Sequence, residues 1–151
     1  MNTLFDDLER SLKETPGSSN LLKESIGGLI GNEIKSTEEE FPQLVEREEN
    51  FFAISVDVKN KKTLQEALDL FIKPDFLEGD NKYHSVKYDR KIDAQKRSYI
   101  KDLKDTVIIQ LKRFEFDFNT MQRLKINDYC EFPEKINFRP WTKEGIRERE
   151  R

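Results

Sequence analysis

One thiol and one imidazole are all that the chain offers for nucleophilic catalysis: Cys130 and His84. A thiolate nucleophile needs a positioned base, usually His, and donors for the developing oxyanion. His84 lies 46 residues upstream of Cys130, on a polar stretch beside Tyr83. Cys130 therefore reads as a small, semi-buried filler and His84 as a surface residue. A single cysteine excludes an internal disulfide, and one Cys with one His leaves almost no room for a Cys/His structural zinc site. The run Gly27-Gly28-Leu29-Ile30-Gly31 has neither the Lys-Ser/Thr of a Walker loop nor the spacing of a dinucleotide loop, so its glycines read as turn residues. Acidic pairs such as Glu48-Glu49 read as a solvated run. The basic stretch from Lys87 to Lys104 is interleaved with Asp89, Asp93 and Asp102 and has few aromatics for stacking, which argues against nucleic acid. Residue chemistry alone supplies no complete active site, so catalytic residues, metal and cofactor are all expected to be none.

The framework that must position these residues is that of one domain. The chain has 151 residues, and Leu, Ile, Val and Phe make up about 28 % of it, above the roughly 20 % below which chains fail to bury a core. Charged residues reach 38 %, yet 27 basic and 30 acidic side chains nearly cancel to −3. That balance gives no chain-wide attraction to phosphate. No apolar run approaches a membrane span and the N-terminus lacks signal-peptide form, which predicts an intracellular chain with no membrane partner.

Leu4, Leu8 and Leu12 predict a first helix from Met1 to Thr15, with Thr3 as a cap and Pro16-Gly17 as its stop before a polar loop to Asn20. Ser25 to Thr37 reads as a turn entering a strand, and Glu38 to Glu49 as a solvated loop. Phe52, Ile54, Val56 and Val58 alternate as one face of a strand. Thr63 and Glu66 form a capping box ahead of the stripe Leu64, Ala67, Leu68, Phe71 and Ile72, and Pro74 ends that helix. Tyr83 to Ile100 suggests a basic hairpin projecting from the core, and Val107 to Ile109 a central strand. Phe114, Phe116 and Phe118 alternate with Glu115 and Asp117 toward a turn at Asn119–Gln122 and a return strand. Phe132 to Trp141 reads as irregular, and Lys143 to Arg151 as a charged, frayed tail. The content is α+β, with two main helices and an antiparallel sheet.

Several strings in this order resemble the ubiquitin-specific protease family of deubiquitinases. They are Leu77-Glu78-Gly79-Asp80-Asn81-Lys82-Tyr83, Ile92-Asp93-Ala94-Gln95-Lys96-Arg97, Leu111-Lys112-Arg113-Phe114-Glu115-Phe116-Asp117, Lys125-Ile126-Asn127-Asp128 and Glu131-Phe132-Pro133. Leu4-Phe5-Asp6-Asp7-Leu8-Glu9 and Glu48-Glu49-Asn50-Phe51-Phe52-Ala53-Ile54 also fit. The resemblance spans about Leu4 to Trp141 and implies a papain-like, hand-shaped fold, of which residues 1–142 are the fingers and much of the palm. It implies thiol-dependent hydrolysis of ubiquitin isopeptide bonds, with the Cys and His segments expected before Met1 and after Arg151, so that the chain alone is inactive.

Relatives often bind zinc through two Cys-x-x-Cys pairs at the fingertips. The equivalent positions here are Glu38, Phe41, Ser85 and Tyr88, which implies no zinc, with packing such as Phe41 against Tyr88 in its place. For ubiquitin contacts the resemblance implies Glu46, Glu49 and Asp75 toward a basic face, and Phe116 and Phe118 in a loop over the ubiquitin tail; Phe114 is expected in the core, and the glutamates are equally well read as solvated. Ubiquitin or a ubiquitinated protein is the expected partner, in cytoplasm or nucleus. Exposed palm edges predict a marginal or oligomeric chain, or a protein partner that covers them. The alternative is a non-catalytic binding or structural module built on the same fold.

Overall fold

The N-terminal Leu repeat does produce a helix, but Phe5 anchors it. The structure, a computed structural model, describes residues 2–15 and 21–151. The expected stop at Pro16-Gly17 and the loop to Asn20 lie outside the described residues. Helix α1 (Asn2–Lys13) begins before Thr3, which therefore is not its cap. Phe5 is buried and stacks on Phe52 at 4.9 Å, while Leu4 and Leu8 face outward. A short helix α2 (Leu21–Ser25) leads through Gly27, at φ +87°, into β1 (Gly28–Ser36).

The second half of the stretch expected to be a solvated loop, from Leu44 on, is a strand, while residues 38–43 are loop and turn. Strand β2 (Leu44–Phe51) pairs antiparallel with β1, Gly31 opposite Glu48 and Glu33 opposite Glu46. Its run of charges obscures the strand pattern because β2 is an edge strand, where charge discourages pairing with other chains. Strand β3 (Ala53–Asp57) follows at once, with Ile54 and Val56 inward as the alternation predicts.

Helix α3 (Leu64–Phe71) is capped by Thr63, whose hydroxyl accepts the Glu66 amide at 3.2 Å. The return arm of the capping box is displaced by one residue: the Glu66 carboxylate accepts the amide of Lys62, at 2.9 Å. Leu64, Ala67, Leu68 and Ile72 are buried beneath it.

Beyond Pro74 come β4 (Asp75–Leu77), a 3-10 turn at Gly79–Asn81, and the hairpin of β5 (Tyr83–Ser85) and β6 (Arg90–Ile92). Strand β7 (Ala94–Leu103) does not project; it lies between β1 and β4 in a four-stranded antiparallel sheet ordered β2-β1-β7-β4. Strand β8 (Ile108–Lys112) pairs with β3 in parallel, an arrangement the antiparallel expectation missed. Strands β9 (Phe114–Asp117) and β10 (Gln122–Lys125) form the anticipated hairpin. The chain then runs irregularly to Trp141, which is buried.

Residues 143–149 are helix α4 (Lys143–Arg149), where a frayed tail was expected. Thr142 caps it by accepting the Gly145 amide, and Ile146 is buried. One Ile among five charged residues and a Gly is too sparse a signal for periodicity to detect. The main core joins β3, α3, Tyr99, Ile100, Cys130, Trp141 and Ile146.

Candidate functional site

Cys130 and His84 do not form a dyad. Cys130 is buried within the main core, whereas His84 is exposed on β5, its Nε2 4.0 Å from Asp89 of the same hairpin. Neither side chain is placed to activate the other.

The four positions expected at the fingertips, Glu38, Phe41, Ser85 and Tyr88, are held by ring contacts and hydrogen bonds rather than thiolates. The rings of Phe41 and Tyr88 meet edge to face at 5.3 Å, and the Arg90 guanidinium lies 4.2 Å above the Phe41 ring. The Tyr88 hydroxyl donates to the Pro42 carbonyl at 2.8 Å, and the Tyr88 amide to Ser85 Oγ at 3.3 Å. The fully buried Ser85 hydroxyl donates in turn to Gln43 Oε1. Glu38 accepts the Asp93 amide at 2.6 Å, and Lys82 lies between Glu38 (3.8 Å) and Asp93 (3.0 Å), which holds its ammonium above the usual lysine range. Among the described residues no cluster of His, Cys, Asp and Glu has the form of a metal site.

Strand register decides which ubiquitin-contact candidates can act together. Residues directly opposite in a sheet share a face, so Glu46 shares one with Glu33 and Arg97. Asp75 lies opposite Lys96, which lies opposite Ile34 and so in line with Val45. Glu49, four residues beyond Val45, is on that second face too. Glu46 is thus separated from Glu49 and Asp75 by the thickness of the sheet. Phe116 and Phe118 sit apart from all three on the β9–β10 hairpin, their rings edge to face at 5.1 Å. Phe118 is 80 % exposed, and Phe114, expected in the core, is 70 % exposed. A two-stranded hairpin offers nothing to bury these rings against. Its turn is fixed by Asp117, whose carboxylate accepts the Asn119 amide and is held below the usual range by it.

The Glu46 face carries a cluster that sequence reasoning missed. Lys143, first residue of α4, is hydrogen-bonded to Glu46 and lies 3.7 Å from Glu33, with its ammonium 5.5 Å from the centre of the Tyr99 ring. Pairing with Lys143 holds the Glu46 carboxyl below its ordinary value and raises the Lys143 ammonium. At the other end of α4, Arg97 pairs with Glu150 at 2.5 Å and holds that carboxyl low. The Tyr99 ring lies across Gly31, where any Cβ would overlap it. A cleft of about 670 Å³ opens between this face and α4, lined by Glu33, Arg97, Tyr99, Lys143 and Ile146 among others. A second, of about 530 Å³, lies on the α3 side of α4. Partners 97 and 53 residues apart in sequence, Glu46 with Lys143 and Arg97 with Glu150, leave no local signal to find.

With this geometry in place, comparisons assign the family. Residues 1–151 match the family described as ubiquitin carboxyl-terminal hydrolase. The chain is 38 % identical over 150 residues to human ubiquitin carboxyl-terminal hydrolase 9Y, covering 99 % of this chain and 6 % of that protein. It is 36 % identical over 143 residues to ubiquitin carboxyl-terminal hydrolase 15 of Saccharomyces cerevisiae, covering 95 % of this chain and 11 % of that protein. Among solved structures, the SAGA Ubp8/Sgf11/Sus1/Sgf73 DUB module bound to ubiquitin aldehyde superposes with a TM-score of 0.80 at 26 % identity, covering 94 % of this chain and 32 % of the matched chain. The chain therefore spans only a small part of the curated relatives it matches. Shared strings, fold and full-length match agree that the chain belongs to the ubiquitin carboxyl-terminal hydrolase family, with the ubiquitin-specific protease fold.

Proposed function

We propose that this chain is the fingers and palm of a deubiquitinase domain and that it holds ubiquitin, or the ubiquitin of a modified protein, without itself supplying a nucleophile or a base. The observation that carries the reading is the superposition on a deubiquitinase module bound to ubiquitin aldehyde. The separation of Cys130 in the core from His84 on the hairpin supports the absence of a self-contained catalytic centre. The apolar tip of Phe116 and Phe118 is the candidate cover for the ubiquitin tail, and Glu46 the candidate partner for a basic side chain. Glu49 and Asp75, on the opposite face, serve a different contact or none. The two-stranded β3–β8 pair leaves edges that a further protein segment would cover. Among the described residues no helix is long and apolar enough to cross a membrane, and the proposed setting is the cytoplasm or nucleus.

The test is a titration of isotope-labelled ubiquitin with this chain, followed by NMR. Shifts concentrated on the apolar patch and tail of ubiquitin are expected, together with no hydrolysis of a fluorogenic ubiquitin substrate. A folded sample that leaves the ubiquitin spectrum unchanged refutes the reading and favours a structural module on the same fold.

A further inference from the structure

We propose that α4 is a displaceable strap across the finger sheet, with Lys143 holding in cis the Glu33–Glu46 pair that a cationic side chain of bound ubiquitin takes once the strap lifts. The inference rests on the ubiquitin-binding reading above and adds a regulatory step to it.

Four observations converge. Glu33 and Glu46 are directly opposed across β1 and β2, and like charges so placed destabilise a sheet unless a cation lies between them. Lys143 is that cation, seated against both carboxylates and the Tyr99 ring. Any process that lifts α4 takes Lys143 from Glu46 on the edge strand and leaves Arg97, opposite Glu33 on the next strand over, as the nearest cation on that face. Next, α4 has only seven residues, well short of the ~12–15 at which an isolated helix becomes marginal in water. Its helical state therefore depends on docking.

The docking is also thin. Ile146 and Gly145 are the buried residues of α4, the ends are tied by ion pairs, and a cleft flanks the helix on each side. Finally, the guanidinium that ties the far end is incompletely satisfied: Arg97 Nε is buried without a hydrogen-bond partner while its terminal nitrogen meets Glu150. An orphaned buried donor raises the free energy of the closed arrangement. Ionic ends on a short helix, Lys143 with Glu33 and Glu46 at one and Arg97–Glu150 with Arg149–Asp69 at the other, make a latch that a competing cation can open.

The experiment measures amide exchange along α4 and the ubiquitin affinity of the whole chain, for wild type, Lys143→Gln, Glu46→Gln and Glu150→Gln. Protection of β1 and β7 is monitored to show that each variant stays folded. Removing Lys143 is expected to speed exchange in α4 and to tighten ubiquitin binding by about threefold to fivefold, the scale of one exposed ion pair converted into open-state population. Glu46→Gln is expected to loosen α4 in the same way but to weaken ubiquitin binding. Glu150→Gln frees the other end and is expected to tighten binding by a smaller factor. Opposite signs for Lys143→Gln and Glu46→Gln are the signature of competition; a helix that merely buttresses the sheet gives the same sign for both, and that result overturns the proposal. Unchanged α4 exchange in Lys143→Gln overturns the strap whatever ubiquitin does. Loosened α4 with no ubiquitin binding in any variant refutes the ubiquitin reading and leaves the strap standing.

Discussion

Replacing Phe41 by Ala should detach the fingertip at a cost that its contacts allow one to estimate. The ring loses an edge-to-face partner in Tyr88 at 5.3 Å, worth about 0.5–1.5 kcal/mol beyond area. It loses the Arg90 guanidinium at 4.2 Å, worth about 0.5–1 kcal/mol at a site this open. Truncation of a half-buried ring forfeits apolar burial worth about another 1 kcal/mol. The expected loss is about 2–3.5 kcal/mol. At roughly 2–4 °C per kcal/mol for a chain of this size, Tm falls by about 4–14 °C if the fingertip unfolds with the rest. If it opens alone, the same loss appears as faster exchange at residues 83–92, with the global Tm nearly unchanged. A double-mutant cycle with Tyr88→Ala isolates the pair, for which about 1 kcal/mol of coupling is expected. Wild-type melting together with wild-type exchange at residues 83–92 would refute the argument and leave the Glu38–Lys82–Asp93 network as the fingertip's support.

Two further outcomes follow from the α4 face. Gly31→Ala pushes a methyl into the buried Tyr99 ring and should cost about 1–3 kcal/mol by overpacking; an unchanged urea midpoint would show that the ring can swing aside freely. Glu46 and Glu150 have carboxyls held below their ordinary value by Lys143 and Arg97. A depressed carboxyl contributes stability that is complete above the unfolded-state value and is lost as pH falls through the folded-state value. Helix α4 should therefore stay docked at neutral pH and loosen as pH drops below the ordinary glutamate range, as read by its amide exchange or by Trp141 fluorescence. Docking that is insensitive to acid would count against these pairs.

Much of this architecture is legible along the chain, and the exceptions share a cause. Strand β3 and helix α3 declare themselves because their cores lie beneath one regular face, so Ile54, Val56, Ala67 and Leu68 appear at the spacing their element demands. Strand β2 hides because an edge strand is free to carry charge, and Glu46 to Glu49 read as solvent. Helix α4 hides because one buried Ile146 is no pattern at all. Leu4 and Leu8 mislead in the opposite sense, being apolar at helical spacing yet exposed, while Phe5 makes the contact. At the fingertip the pairing of Phe41 with Tyr88 is suggested by the spacing that the family resemblance implies, whereas Ser85 with Gln43 and Glu38 with Asp93 are invisible before the strands are placed. Glu46, Glu49 and Asp75 look equivalent as acidic residues; only the register places them on opposite faces.

The parallel pairing of β3 with β8 bears on how the chain assembles. Ala53 meets Ile108 across 55 residues of sequence, and everything in between must be placed before that contact repays its loop closure. Connectivity offers a route. The β1–β2 hairpin closes locally, and β2 runs into β3 with a single residue between them. Once β7 zips onto β1, only residues 104–107 separate it from β8, which is thereby delivered alongside β3. The β1–β2–β7 sheet then acts as a folding template for the β3–β8 pair, and a lesion that slows β7 docking should delay the whole core, to which β7 contributes Tyr99 and Ile100.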